Sequence, residues 1–281
     1  MIRWFSRVGW RHLVGLLAVA FSVFPILFVV SAALNPLGTL SSTELVPTGA
    51  TTRNLTDLFK QTEFGHWYLN SILIAGSAAL ASVFLSLLAA YAFSKMRFAG
   101  RRVGLLSLLL IQMFPQFLAV VTIFLMFSEI SDYWPGVGLN TSWGLILLYL
   151  GGALGVNTWL MKGFLDTVPR ELNESATMDG ASHAQVFFQI MLPLVTPILA
   201  VAGLLSFITI INEFLLASVF LTHPESKTLA VGLYGLVSGE RNNNFGLFCV
   251  GSLLTAIPTL LVFQVLQRYI VSGLTAGAVK G

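Results

Sequence analysis

LNSILIAGSAALASVFLSLLAAYAF, residues 69–93, holds no charged side chain. An uninterrupted apolar run longer than about 18 residues is long enough to cross the hydrocarbon core of a bilayer as a helix. Inside lipid every backbone N–H and C=O must be paired within the segment, which leaves helices as the form such a run takes. Working outward, five more runs of the same kind appear: His12–Leu34, Val103–Phe127, Thr141–Met161, Leu194–Leu221 and Phe245–Gln267. The fold class this predicts is all-α, a polytopic membrane protein with six transmembrane helices. Composition agrees: the chain is 56% hydrophobic and 10% charged, where a soluble domain carries about 25% charged residues. Pro25, Pro115, Pro197 and Pro258 fall inside the runs, and membrane helices accommodate proline when neighbouring segments pair the freed carbonyls.

Charge sets the expected orientation. With the N-terminus placed in the cytoplasm, eleven of the 15 basic residues fall on inner segments. The outer segments keep Arg53, Lys60, Lys227 and Arg241. This is the positive-inside pattern, and six spans return the C-terminus to the cytoplasm too. Ser31-Ala32-Ala33 resembles a cleavage site, yet the preceding run exceeds the roughly 7–15 residues of a signal core, so the first span reads as a retained anchor. The lone Cys249 gives neither a disulfide framework nor a cysteine metal site. The outer segment 35–68 is too small for a folded domain, and Leu55, Leu58 and Phe59 in it suggest a short interfacial helix. With no repeat along it, the chain reads as one membrane domain over residues 1–281.

The inner segments differ in kind. Residues 95–102 are short and basic and suit anionic headgroups. Residues 162–193 are long and carry Asp166, Glu171, Glu174 and Asp179. Asp166 or Thr167 can cap a helix that opens at Pro169, with Glu171 and Glu174 in its electropositive first turns. Leu172, Ala176 and Met178 give this helix a partial apolar side. Gly180 suits a left-handed end; there any β-carbon is expected to strain the backbone, and a bulky side chain to push the flanking helices apart. Ser182 and Gln185 have the spacing of a capping box opening a second helix, whose apolar face is Val186, Phe187 and Ile190. Two short helices joined at a glycine, with acids beside a small apolar surface, make a docking knob for a soluble partner.

The same segment resembles the EAA loop, E-A-A-x3-G-x9-I-x-L-P, of binding-protein-dependent ABC importer permeases. The matching residues are Glu174, Ser175, Ala176, Gly180, Ile190, Leu192 and Pro193, with Ser175 standing where the family has alanine. Phe64, Trp67 and Asn70-Ser71 and the run Asn212-Glu213-Phe214-Leu215-Leu216-Ala217 are similar to sugar permeases. Thr228 to Gly232 and the tail from Gln267 through Gly281 are similar to the smaller permease subunit of the maltose/maltodextrin type. This implies a prokaryotic plasma (inner) membrane permease for maltose, maltodextrin or a related oligosaccharide. Its implied partners are a second permease subunit, two copies of an ATPase subunit, an extracytoplasmic sugar-binding protein and the lipid bilayer, with no nucleic acid.

The chain itself contains no G-x4-G-K-[ST], so it is not expected to be an enzyme or to bind a cofactor; ATP and Mg belong to the partner ATPase. In this reading Glu174 pairs with a basic residue of the ATPase, and Ala276, Gly277, Lys280 and Gly281 reach the ATPase dimer, the alternative for them being a free flexible end. Asn212 and Glu213 either line the sugar path or bond to the partner permease or to backbone. An ABC permease for another small solute is one alternative; an ion- or proton-coupled secondary transporter or channel is the rival class. It ordinarily places several ionisable residues within its spans, and Glu213 alone does so here.

Overall fold

The computed structural model describes residues 9–39, 49–238 and 244–278. Those residues are mainly helical, with no strand among them. The first apolar run forms α1, Trp10–Leu34. Residues 53–61 form the short helix α2, Arg53–Gln61, and the second run forms α3, Phe64–Lys95. Where one span was expected over Val103–Phe127, α4, Arg101–Met113, meets α5, Gln116–Tyr133, and their axes turn by 99°. Pro115 explains the turn. It lacks an N–H and excludes the helical region for Phe114, which sits at φ −74°, ψ 126°.

The fourth run forms α6, Ser142–Thr167, bent by 48° near Gly152. Gln112 Nε2 donates to the Gly152 carbonyl at 2.8 Å, at the bend. A β-carbon on Gly155 would run into the Gln112 side chain, so this position must stay bare for the bond to form. Next come α7, Arg170–Met178, and α8, His183–Leu194, whose middle, Val186–Met191, is a π-turn. The fifth expected span divides into α9, Thr196–Ile211, and α10, Leu215–Phe220. A short helix α11, Leu229–Val237, precedes α12, Phe245–Ala278, which extends well past the expected end of the sixth span. Pro25 and Pro258 lie inside continuous helices, whereas Pro115 breaks one. Among the described residues, three helices are long and apolar enough to cross a membrane, or up to six if each bent pair counts as one span.

The chain divides into two compact units, one of residues 1–65 with 231–257, the other of residues 66–230 with 258–281. In the first unit, Asn54 Nδ2 donates to the carbonyls of Ala33 (2.8 Å) and Asn35 (2.9 Å), pairing groups left free at the end of α1. Leu58 is fully buried, and Phe59 meets Phe64 edge-on at 5.2 Å. The expected interfacial helix is therefore a packed strut of this unit, though Leu55 and Phe59 remain largely exposed.

In the second unit, residues 220–229 are held by side chains from two other regions. Asn140 lies in the left-handed region at φ 58°. Its Oδ1 accepts from Thr222 N (2.7 Å), Thr222 Oγ1 (3.0 Å) and His223 N (3.0 Å), and its own N–H donates to the Phe220 carbonyl at 2.9 Å. From the start of α3, Trp67 Nε1 donates to Pro224 O and Asn70 Nδ2 to Glu225 O, each at 2.8 Å. Ser71 Oγ accepts from Leu229 N at 2.7 Å.

Candidate functional site: the segment 162–193

The local reading of this segment holds in most of its parts. α7 closes on Gly180 at φ 85°. Ala181 N–H donates to Ala176 O and Gly180 N–H to Thr177 O, both at 3.0 Å, which is the paired bonding of a left-handed glycine cap. The capping box is present: Gln185 N–H donates to Ser182 Oγ (3.3 Å), and Ser182 N–H to Gln185 Oε1 (2.8 Å). Val186 and Phe187 are buried. Ile190 and Leu192 pack against the same cluster, and so does Ala176.

Two expectations are corrected. Neither Asp166 nor Thr167 caps α7. α6 runs through both, and Pro169 takes the cap position at φ −56°, ψ 139°. The partial apolar side of α7 is present as expected: Ala176 packs inward, while Met178 is 88% exposed and Leu172 43%. Nothing lies within 4 Å of a β-carbon placed on Gly180, so its constraint is backbone conformation and not room.

The result is a knob. α7 presents Glu171, Glu174, Ser175, Leu172 and Met178 to solvent, with Gly180 exposed at its tip and Pro193 exposed where α8 ends. Beneath it lies a core of Leu87, Ala90 and Tyr91 from α3, Met161 and Leu165 from α6, and Val186, Phe187 and Met191 from α8. Tyr91 and Phe187 meet edge-on at 5.2 Å.

Polar ties brace the base of the knob. Buried Ser94 donates its hydroxyl to Asp166 Oδ1 at 2.6 Å. Lys162 Nζ bonds Asp166 Oδ2 at 2.6 Å. Lys95 Nζ donates to the Val168 carbonyl at 2.6 Å, and Tyr91 makes a long bond of 3.4 Å to Asn173 Oδ1 on α7. Partial burial acts to raise the Asp166 pKa, but the bonds from Lys162 and Ser94 outweigh it and hold the carboxyl below its usual value. Burial lowers the Lys95 pKa against the opposing pull of Asp166. Sequence reading assigned Lys95 with its neighbours to lipid headgroups. The available signal was the spacing of Tyr91, Ser94 and Lys95, which puts all three on one helix face.

Asn212 and Glu213 occupy the break between α9 and α10. Asn212 is exposed and donates from Nδ2 to Ile208 O at 2.8 Å. Glu213 accepts from Leu216 N (2.9 Å) and Ala217 N (3.0 Å), capping α10, and from the Tyr149 hydroxyl at 2.6 Å. Tyr149 was not foreseen, because a single tyrosine within a span carries no signal of its partner. At the far end, α12 keeps a helical backbone through Ala276 and Gly277. Lys280 and Gly281 lie outside the described residues.

Comparison with known proteins agrees with this architecture. Residues 82–276 match the family of binding-protein-dependent transport system inner membrane components. The galactooligosaccharides transport system permease protein GanQ of Bacillus subtilis is 38% identical over 283 residues, covering 100% of this chain and 98% of that one. The maltodextrin transport system permease protein MdxG of the same organism is 39% identical over 92% of this chain and 91% of its own. The maltose/maltodextrin transport system permease protein MalG of Escherichia coli is 38% identical over 98% and 97%. A bacterial ABC transporter involved in import of the acidic polysaccharide alginate shares the fold, with a TM-score of 0.76 at 23% identity over 95% of this chain and 96% of that one. A family match across most of the chain, together with relatives aligned nearly end to end, establishes the assignment: this chain belongs to the family of inner membrane components of binding-protein-dependent transport systems.

Proposed function

We propose that the chain is the permease subunit of an ATP-driven importer for a maltodextrin-type or related oligosaccharide. The observation that carries the sugar class is the near full-length similarity to GanQ, MdxG and MalG at 38–39% identity. A second permease subunit completes the pathway, and an extracytoplasmic binding protein delivers the sugar. Two copies of a cytoplasmic ATPase subunit bind ATP and Mg below. Both termini of this chain face the cytoplasm.

The α7–Gly180–α8 knob is the ATPase docking element in this reading. Its exposed acids and apolar side chains suit a socket with a basic rim and an apolar floor. Glu174 is the ion-pair partner, and Ser175, Ala176, Gly180, Ile190, Leu192 and Pro193 give the knob its shape. Closure of the ATPase dimer moves the knob as a rigid body with the helices it packs on. That transmission requires the ATPase states to differ in their contacts with the knob. Asn212, exposed beside the break in the fifth span, offers polar groups to sugar hydroxyls, with Glu213 holding the break in place. Residues 276–281, including Ala276, Gly277, Lys280 and Gly281, extend towards the ATPase dimer.

The test is reconstitution in liposomes with and without the partner subunits, following uptake of labelled maltodextrins and galactooligosaccharides. Uptake is expected only with the second permease, the ATPase, ATP and the loaded binding protein. Sugar flux through this chain alone would overturn the reading.

A further inference from the structure

The last turns of α3 carry a stripe with a single destination. Leu87, Tyr91, Ser94 and Lys95 are spaced i, i+4, i+7 and i+8 and so share one face. Leu87 and Tyr91 enter the core under the knob. Ser94 holds Asp166 in the last turn of α6, and Lys95 holds the carbonyl of Val168. Val168 is the joint: α6 ends there, α7 begins after Pro169, and both residues are extended, with ψ 126° and 139°.

A two-residue extended link between helices is a compliant connection. A push on α7 would be absorbed there unless the link were held from outside. Val168 spends its own N–H on Leu165 O at 3.2 Å, leaving its carbonyl as a helix-end acceptor. The Lys95 ammonium takes that acceptor, and a cation at a helix C-terminus is also favoured by the helix dipole. Ser94 is buried, so its bond to Asp166 is shielded from water on one side.

We infer that Ser94 and Lys95 are positioning residues of the transport cycle: they brace the α6–α7 joint from α3, so that displacement of the knob enters the bundle through the second span instead of being lost at Val168–Pro169. This rests on the proposal that the knob docks the ATPase. It assigns α3 a part that the docking residues alone do not.

The experiment uses the complete transporter with its ATPase, second permease and sugar-loaded binding protein. Ser94→Ala, Lys95→Met and their combination are compared with Lys95→Arg, which keeps a cationic donor. The variables are complex recovery, basal ATP hydrolysis and the stimulation of hydrolysis by loaded binding protein. The double variant is expected to assemble and show wild-type basal hydrolysis while its stimulation falls about tenfold, as loss of charge-assisted bonds implies. Lys95→Arg should restore most of the stimulation, which a variant damaged only in packing or folding would not do. Wild-type stimulation in the double variant overturns the inference. So does a loss of complex recovery matching the loss of stimulation, since the residues would then serve docking or folding and not transmission. Glu174→Lys, measured in parallel, separates the two readings: if it assembles and couples like wild type, the docking proposal fails whatever Lys95 does.

Discussion

At the scale of single residues, two positions carry backbone demands that can be tested separately from bulk. Asn140 adopts φ 58° while its Oδ1 takes three hydrogen bonds from residues 222 and 223. Asn140→Gly keeps the backbone accessible and removes the acceptor. At about 0.5–1.5 kcal/mol per bond, reduced because these bonds are exposed, it should destabilise the chain by about 1–2 kcal/mol. Asn140→Ala should cost about 1 kcal/mol more, because alanine is strained in the left-handed region. Asn140→Asp retains the acceptor and should fall near wild type. Thermal unfolding in detergent reads this order, and equal stability of the glycine variant and wild type would remove Asn140 as the tie between the two loops. Gly180 differs in kind, since its φ is 85° but the space around it is open. Gly180→Ala and Gly180→Leu should therefore lower sugar-stimulated ATP hydrolysis to a similar extent, with a strain of about 1–2 kcal/mol in each. Gly180→Asn, which tolerates this region, should retain most of it. A steep dependence on side-chain size would mean that a partner packs closely against the tip.

At the scale of elements, the informative feature is the break between α9 and α10. Glu213 holds it by accepting from two backbone N–H groups of α10 and from the Tyr149 hydroxyl of α6. Glu213→Ala leaves all three donors unpaired and should cost about 1–3 kcal/mol, as should Tyr149→Phe to a lesser degree. Because the two share a bond, their effects should not add, and the double variant should be milder than the sum of the singles. Strict additivity in thermal unfolding would mean the bond contributes nothing. No proline or glycine marks this break, which is why it could not be read from the chain, whereas Pro115 and the 99° turn at least had a visible cause. Hydropathy marks which runs are apolar enough to enter lipid, so the long apolar helices were legible. Whether a helix stays straight depends on partners for freed carbonyls, and those come from distant residues. The knob was legible for the opposite reason: the glycine cap and the capping box are closed by residues within five positions of one another. The ties that brace it, such as Ser94 to Asp166, join positions 72 apart and leave no local trace.

At the scale of the whole molecule, the question is how often the chain crosses the bilayer, given three long helices and three bent pairs. The second unit supplies an argument from its own bonds. α3 has 32 residues, so its ends lie roughly 48 Å apart at 1.5 Å per residue, farther than the hydrocarbon core of about 30 Å. Its first turns bond residues 224–229, and Asn140 bonds residues 220–223, which puts these three regions at one face. Its last turn bonds the end of α6, which puts residues 95 and 166–168 at the other. The chain leaves the second face at Lys95 and reaches the first at Asn140 through α4 and α5 alone, so that pair should cross once despite its bend. By the same reasoning α8 to α10 should cross once between Thr167 and Phe220. By the positive-inside pattern, the basic residues of 95–102 should put the second face in the cytoplasm. In a Cys249→Ala background, Gly136→Cys and Glu225→Cys should react with a membrane-impermeant maleimide added to intact cells. Ala99→Cys and Met178→Cys should react only in inverted vesicles. All four positions are exposed, so silence at one face is informative. Labelling of Gly136→Cys and Ala99→Cys from the same face would make α4 and α5 a re-entrant hairpin. The knob would then lie opposite one of its own supports, and a six-span reading could not stand.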